Sequence, residues 1–225
     1  RLVFHDLAQD SAFQALCAGL RQSRRFPPVV YARLVIDRLL PADVERVVYL
    51  DCDTLVLAPI ERLYGHELGG LPIAAVREPF GLHIKMGRDM RRKQEMFDAA
   101  DPYFNSGVML IDVRRYAAAD IPAQIAALAQ RGVLGRLYYD QDILNLVFAG
   151  RWHELDWRFN VLEGHRAHHA MGVHIVHYSD RRRPWHLVSS VPFHRTYRHV
   201  MTSELFYRYA RHRWRRAARR LLGGS

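Results

Sequence analysis

Short apolar runs recur along the chain, and between them apolar positions return every three or four residues. The first period suits strands and the second suits helices packed on one face. Residues 1–5 predict a strand ending at Asp6. Residues 11–20 predict a helix, with Asp10 or Ser11 as its N-cap. After the Phe26-Pro27-Pro28 loop, Val30, Leu34, Ile36 or Asp37 and Leu40 predict a helix that Pro41 ends. Residues 46–50 read as a strand buried on both faces that stops on Asp51 and Asp53, with Ala58-Pro59 as a breaker beyond it. Residues 60–64 suit a helical turn, and 71–76 a second strand ending in Arg77-Glu78-Pro79. Residues 86–97 are charged and amphipathic, as in a surface helix or lid. Tyr103-Phe104-Asn105-Ser106-Gly107 leads into the buried run 108–111. Tyr116 and residues 121–130 predict helix, with Pro122 in the first turn. Residues 140–148 predict a short helix capped by Asp140 and followed by Gly150. Residues 152–155 and 174–177 are strand-like, and 200–222 form a basic, aromatic helix. Strands alternating with helices in this way argue for an α/β fold.

The run 47–57 carries the sharpest chemical signal. It ends its first apolar half on Asp51-Cys52-Asp53. An unpaired carboxylate at the end of a buried strand is costly. Asp-x-Asp also sets two hard oxygen donors within reach of one divalent cation. An acidic turn after a strand is the other reading, because Asp is common in turns. There is no Gly-x-Gly-x-x-Gly fingerprint and no Walker loop.

Composition narrows the partners. The 225 residues are 49% hydrophobic, enough for a sizeable core, and carry a formal charge of +10. Such a balance favours anionic partners: nucleic acid, a lipid surface or a phosphate-bearing substrate. Cys17 and Cys52 are the only cysteines, so neither a disulfide framework nor a cysteine metal site is written in the chain. A reducing setting fits that usage. No apolar run is long enough to span a bilayer. His165, His168, His169 and His174 have no standard zinc spacing and read as loop polarity.

Five ordered blocks resemble one family. They are Tyr31-Ala32-Arg33-Leu34; Tyr49-Leu50-Asp51-Cys52-Asp53; Phe104-Asn105-Ser106-Gly107-Val108 with Ile111-Asp112; Asp140-Gln141-Asp142-Ile143-Leu144-Asn145; and His177-Tyr178 with Arg183-Pro184-Trp185-His186. Together they are similar to the family 8 retaining glycosyltransferases, especially the bacterial lipopolysaccharide galactosyl- and glucosyltransferases. The resemblance implies a GT-A fold, the nucleotide-diphospho-sugar transferase fold, with a mixed sheet flanked by helices. It implies transfer of a hexose from UDP-galactose or UDP-glucose to a glycan or glycolipid acceptor such as lipopolysaccharide. It implies manganese as cofactor, with magnesium as the alternative, held by Asp51, Asp53 and His177. Arg33, Asp51, Cys52, Asp53, Asn105, Ser106, Asp140, Gln141, His177 and Arg183 would bind the donor, and Glu78 would face the acceptor. Asp140 and Gln141 would flank the reacting carbon. An amide is a poor nucleophile, so Gln141 favours front-side displacement over a covalent glycosyl intermediate.

Two positions depart from the family pattern: Asp180 stands where it has Gly, and Arg183 where Lys precedes Pro-Trp. Arginine can still bind a diphosphate, and bidentately. Residue 1 also aligns downstream of the strand and loop that hold uracil and ribose in the family. Residues 1–200 are therefore expected to form a catalytic domain lacking its N-terminal nucleotide-binding strand, with a sheet edge left uncovered. Residues 201–225 form a basic amphipathic tail in which arginines interleave with Tyr209, Trp214, Leu221 and Leu222. Such a tail suits an anionic membrane surface, which would place the protein in the cytoplasm on the inner face of the membrane. A solvated helix docked on its own domain is the plainer alternative. No recognisable nucleic-acid module accompanies the tail, so no specific nucleic acid is expected. The competing function is a degenerate, non-catalytic basic module that binds anionic lipid or nucleic acid.

Overall fold

The strand with the strongest reason to be buried is β4 (Phe104–Asp112). Its residues 104–111 are all buried, as an apolar run flanked by strands on both sides should be. A computed structural model describes residues 2–23, 26–79, 97, 102–162, 164–179, 183–186 and 189–221. The chain divides into two compact units. One holds residues 1–51 and 60–159, the other residues 52–59 and 160–225.

In the first unit, β4 pairs antiparallel with β1 (Arg46–Leu50) on one side and with β3 (Ile73–Arg77) on the other. β5 (Trp152–Glu154) adds parallel to β3, giving the order β1-β4-β3-β5. Helices cover this sheet. They are α1 (Ser11–Ala18), a 3-10 segment Pro28–Val35 running into α2 (Ile36–Leu39), α3 (Glu61–Tyr64), α4 (Val113–Ala117), α5 (Ile121–Gln130) and α6 (Tyr139–Val147). Phe13, Cys17, Leu34, Met109, Ile111, Ile125, Leu144 and Phe148 share one core there. Burial in it pushes the Cys17 thiol up to about 11, so it stays a neutral apolar side chain.

The second unit has a smaller sheet. β2 (Thr54–Val56) pairs antiparallel with β7 (Ile175–His177), and β6 (Val161–Leu162) pairs parallel with it. Leu55, Val161, Val173, Val176, Tyr178, Val191 and Phe193 form its core. α7 (His194–Val200) and α8 (Ser203–Leu221) end the described chain. No described helix is long and apolar enough to cross a membrane.

Two expectations need correction. Residues 2–5 form no strand, and they are exposed with no ladder to join. β1 is not buried on both faces: it ends its sheet, and each of its residues is only half-buried. The run 47–57 does stop on its acids, as the sequence predicts, so that β1 covers residues 46–50. It breaks at Asp51-Cys52-Asp53, and its halves join different sheets. The stretch 86–96 lies outside the described residues.

Candidate functional site

Asp51 follows the last residue of β1, and its N–H donates to Gly107 O on β4 at 2.8 Å. Its Oδ1 accepts from Arg33 Nη2 at 2.6 Å and from the Tyr49 hydroxyl at 2.8 Å. Arg33 comes from the 3-10 segment, where the Tyr116 hydroxyl donates to its carbonyl at 2.8 Å. The guanidinium is almost fully buried, 7% exposed. Its Nη1 donates to Ser106 O at 2.7 Å and to Ser106 Oγ at 2.9 Å. Its Nε lies 2.8 Å from Asp140 Oδ2, an ion pair off the line of a hydrogen bond. Burial opposes the charge on Arg33, but Asp140 and Asp51 outweigh it and hold the proton more firmly than usual. Burial raises the Asp140 pKa, with Arg33 pulling it back and Asp51 adding to the rise.

Asp140 does not cap α6. The helix starts at Tyr139 with Tyr138 as N-cap and no side-chain cap bond. Asp142, one turn in, takes the Tyr138 N–H on Oδ2 at 2.6 Å and the Tyr103 hydroxyl on Oδ1 at 2.7 Å. That leaves Asp140 for Arg33. Tyr139 accepts a left-handed φ of 51° at this start, a conformation that costs a non-glycine residue about 1–3 kcal/mol and tends to occur at functional sites.

Gln141 is the hub of the first unit's polar network. Its Nε2 donates to Glu78 Oε2 at 2.7 Å, and its Oε1 accepts from Asn105 Nδ2 at 3.1 Å and Ser106 N at 3.2 Å. Asn105 Nδ2 also donates to Glu78 Oε2 at 2.8 Å. Glu78, Asn105, Ser106, Asp140 and Gln141 are all buried. A break in the β3–β4 register brings them together. Ala75 faces Met109 while Val76 faces Asn105, so Ser106 to Val108 have no partner on β3. Such bulges re-aim side chains. Here Asn105 and Ser106 meet Gln141 on α6, while Asn145, one turn further, ties both backbone groups of Phe104 at 2.8 and 2.9 Å.

In the second unit, Asp53 O accepts the Tyr178 N–H at 2.9 Å, which fixes the Asp53 backbone beside the end of β7. The carboxylate meets two partners: His177 Nε2 at 3.1 Å on Oδ1 and Arg183 Nη1 at 2.7 Å on Oδ2. Burial raises the Asp53 pKa, yet these contacts outweigh it and hold the carboxyl below its usual range. His177 Nδ1 lies 3.1 Å from Asn160 Oδ1. An amide oxygen only accepts, so Nδ1 donates to it, and the contact fixes the ring with Nε2 facing Asp53.

One ligand atom from each of Asp51, Asp53 and His177 lies within 4.8 Å of the other two. Among the described residues this is the grouping of three such side chains that could hold a metal ion. Two carboxylates and an imidazole fit a divalent cation that accepts both oxygen and nitrogen. The four loop histidines do not gather: His169 stacks on Phe193 at 3.9 Å, while His165 and His168 meet edge to face. Cys52 is exposed in the turn between the two aspartates and is in no disulfide. Asp180 lies outside the described residues.

The profile of Glycosyl transferase family 8 matches residues 3–188. The chain belongs to that family. It is 26% identical over 199 residues to General stress protein A of Bacillus subtilis, covering 80% of this chain and 67% of that protein. It is 30% identical over 147 residues to the probable glycosyl transferase Gly of Streptococcus gordonii, covering 63% of this chain but 20% of that protein. The chain thus spans between one fifth and two thirds of the length of these curated relatives. Among solved structures it is similar to an active-site mutant of LgtC, with TM-score 0.68 and 26% identity, covering 82% of this chain and 71% of that one. It is also similar to the galactosyltransferase LgtC in complex with donor and acceptor sugar analogs, with TM-score 0.64 and 25% identity, covering 82% and 70%. The fold is therefore the α/β GT-A-like architecture of this family, with mixed sheets flanked by helices.

Several residues that organise the candidate site carry no signal of their own in the sequence. Tyr49 and Asp142 stood inside the matched blocks, but their roles depend on contacts across the fold. Asn160 had no signature, because a lone Asn after Phe159 matches no motif.

Proposed function

We infer that the chain is a metal-dependent retaining hexosyltransferase. It would take UDP-galactose or UDP-glucose and pass the sugar to a glycan or glycolipid acceptor, lipopolysaccharide being the class that fits best. The observation that carries this reading is the gathering of Asp51, Asp53 and His177 in a family 8 chain. These three would hold manganese, or magnesium in its place, and the ion would supply charge stabilisation for the departing diphosphate. Arg183 has a planar fork suited to phosphate oxygens and is held near the acids by Asp53. The amides of Asn105 and Gln141 and the Ser106 hydroxyl offer donors and acceptors for sugar hydroxyls. Glu78 would serve the acceptor side.

Retention fits front-side displacement. The bond from the anomeric carbon to the phosphate oxygen breaks, and the bond to the acceptor oxygen forms on the same face. The acceptor's proton passes to the departing phosphate oxygen. Asp140 is paired with Arg33, so its role is orientation and charge balance rather than attack. The basic helix α8 would hold the enzyme at an anionic membrane surface on the cytoplasmic side. The test is UDP release from each donor with manganese, with and without a galactoside acceptor. Turnover should require the metal, and Asp53→Asn or His177→Ala should reduce it by about 100-fold or more. Absence of manganese-dependent turnover with both donors in the full-length protein would overturn the reading.

A further inference from the structure

On α8, Tyr209, Arg213 and Arg216 recur at i, i+4 and i+7, so they share one helix face. That face borders a cavity of about 690 Å³, whose wall also includes Trp185, His186 and Trp214. Ala210 and Ala217 line it too, and their short side chains leave the space open. Among the described residues, the wall carries guanidinium and imidazole groups but no carboxylate. The sequence explains the imbalance: Glu204 is the only acidic residue from Arg183 to Ser225. Arg213 leans on Tyr209, its Nη1 3.5 Å from the hydroxyl and its guanidinium carbon 5.9 Å from the ring centroid. Burial first, then Arg213 and Arg183, lower the proton affinity of His186, as uncompensated positive charge should.

A cavity of this size suits a small organic molecule rather than a bare ion. Guanidinium forks match phosphate oxygens, and indole faces accept a flat or apolar body. We propose that this cavity binds a phosphate monoester carried on an aromatic or apolar body, with the phosphate on Arg213 and Arg216 and the body against Trp185 and Trp214. The phosphate can come from a soluble organic phosphate or from a lipid headgroup. Both present the same charge beside an apolar group.

The test uses the full chain in EDTA without nucleotide sugar, so its outcome is independent of transferase activity. Phenyl phosphate is titrated by calorimetry and tryptophan fluorescence, with phenol and inorganic phosphate as controls. Co-sedimentation with phosphatidylcholine vesicles, with and without phosphatidic acid, forms the second arm. Phenyl phosphate should bind saturably at one site, more tightly than either control. The pair R213A and R216A should weaken it by about tenfold or more. A217L keeps the charges but fills the space from a position that favours helix, and it should weaken binding likewise. Circular dichroism checks that each variant folds. Variant-sensitive binding of phosphatidic acid vesicles without phenyl phosphate binding assigns the site to lipid and also supports it. Binding of either probe that ignores both variants, or no binding of either, overturns the proposal.

Discussion

Arg33 is a buried cation set between two acids of the first unit. It neutralises Asp51 and Asp140 at once and grips both polar atoms of Ser106. Removing one partner of a buried ion pair leaves the other charge uncompensated, which costs about 3–5 kcal/mol. Arg33→Met should therefore lose about that much unfolding free energy in a denaturant titration. Arg33→Lys should lose less, because it keeps the charge and gives up only the fork. A second pair makes a pH prediction. His66 and His153 face each other with Nε2 atoms 3.2 Å apart, so one donates and the other accepts. Burial, and then His153, lower the His66 pKa from 6.5. The unfolded chain thus takes up this proton at higher pH than the folded chain. The stability linked to His66 is fully present above its unfolded value of about 6.5 and is lost as pH falls below it. His153→Gln keeps a polar partner without the second charge. Its unfolding midpoint should fall less than the wild type's as the medium is acidified through about 6.5.

At the scale of elements, helix starts divide into those set locally and those set by the fold. α5 begins as its sequence predicts, with Pro122 in the first turn. Asp120 accepts from Ala123 N at 3.3 Å while holding a left-handed φ of 43°. Asp120→Ala should cost about 1–2 kcal/mol of stability, because the cap is lost and the backbone conformation stays unfavourable. Asp120→Gly should fall within about 1 kcal/mol of wild type, since glycine removes the backbone cost and loses little as a cap. Thermal unfolding of the two variants side by side checks this contrast. α6 shows the opposite case. Asp140 has the right identity for a cap, but the helix starts one residue earlier, at Tyr139, and the buried Arg33 guanidinium pairs with its carboxylate. The β4 bulge is also a product of the fold: nothing in Phe104-Asn105-Ser106-Gly107 announces that Ser106 to Val108 leave the β3 ladder.

At the scale of the whole molecule, the grouping of Asp51, Asp53 and His177 predicts coupling between metal and stability. A ligand that binds only the folded chain adds about 2.7 kcal/mol at a hundredfold excess over its dissociation constant. Manganese should therefore raise the thermal midpoint, and EDTA should return it. Asp53→Asn and His177→Ala should each abolish the shift, in a readout that needs no nucleotide sugar. If both variants keep the full shift, the ion is held elsewhere.

Alternating apolar runs and helical periods determined that this is an α/β chain, and five separated motifs determined its family. Those signals survive in a bare sequence because burial periodicity and the identity of acids, amides and histidines are local properties. Three things were decided only in three dimensions: the split of residues 47–57 into two sheets, the pairing of Arg33 with two acids, and the amide of Asn160 that orients His177. Each depends on residues far apart in the chain competing for one buried charge or one strand edge. Only the folded backbone sets the distances that settle such a competition.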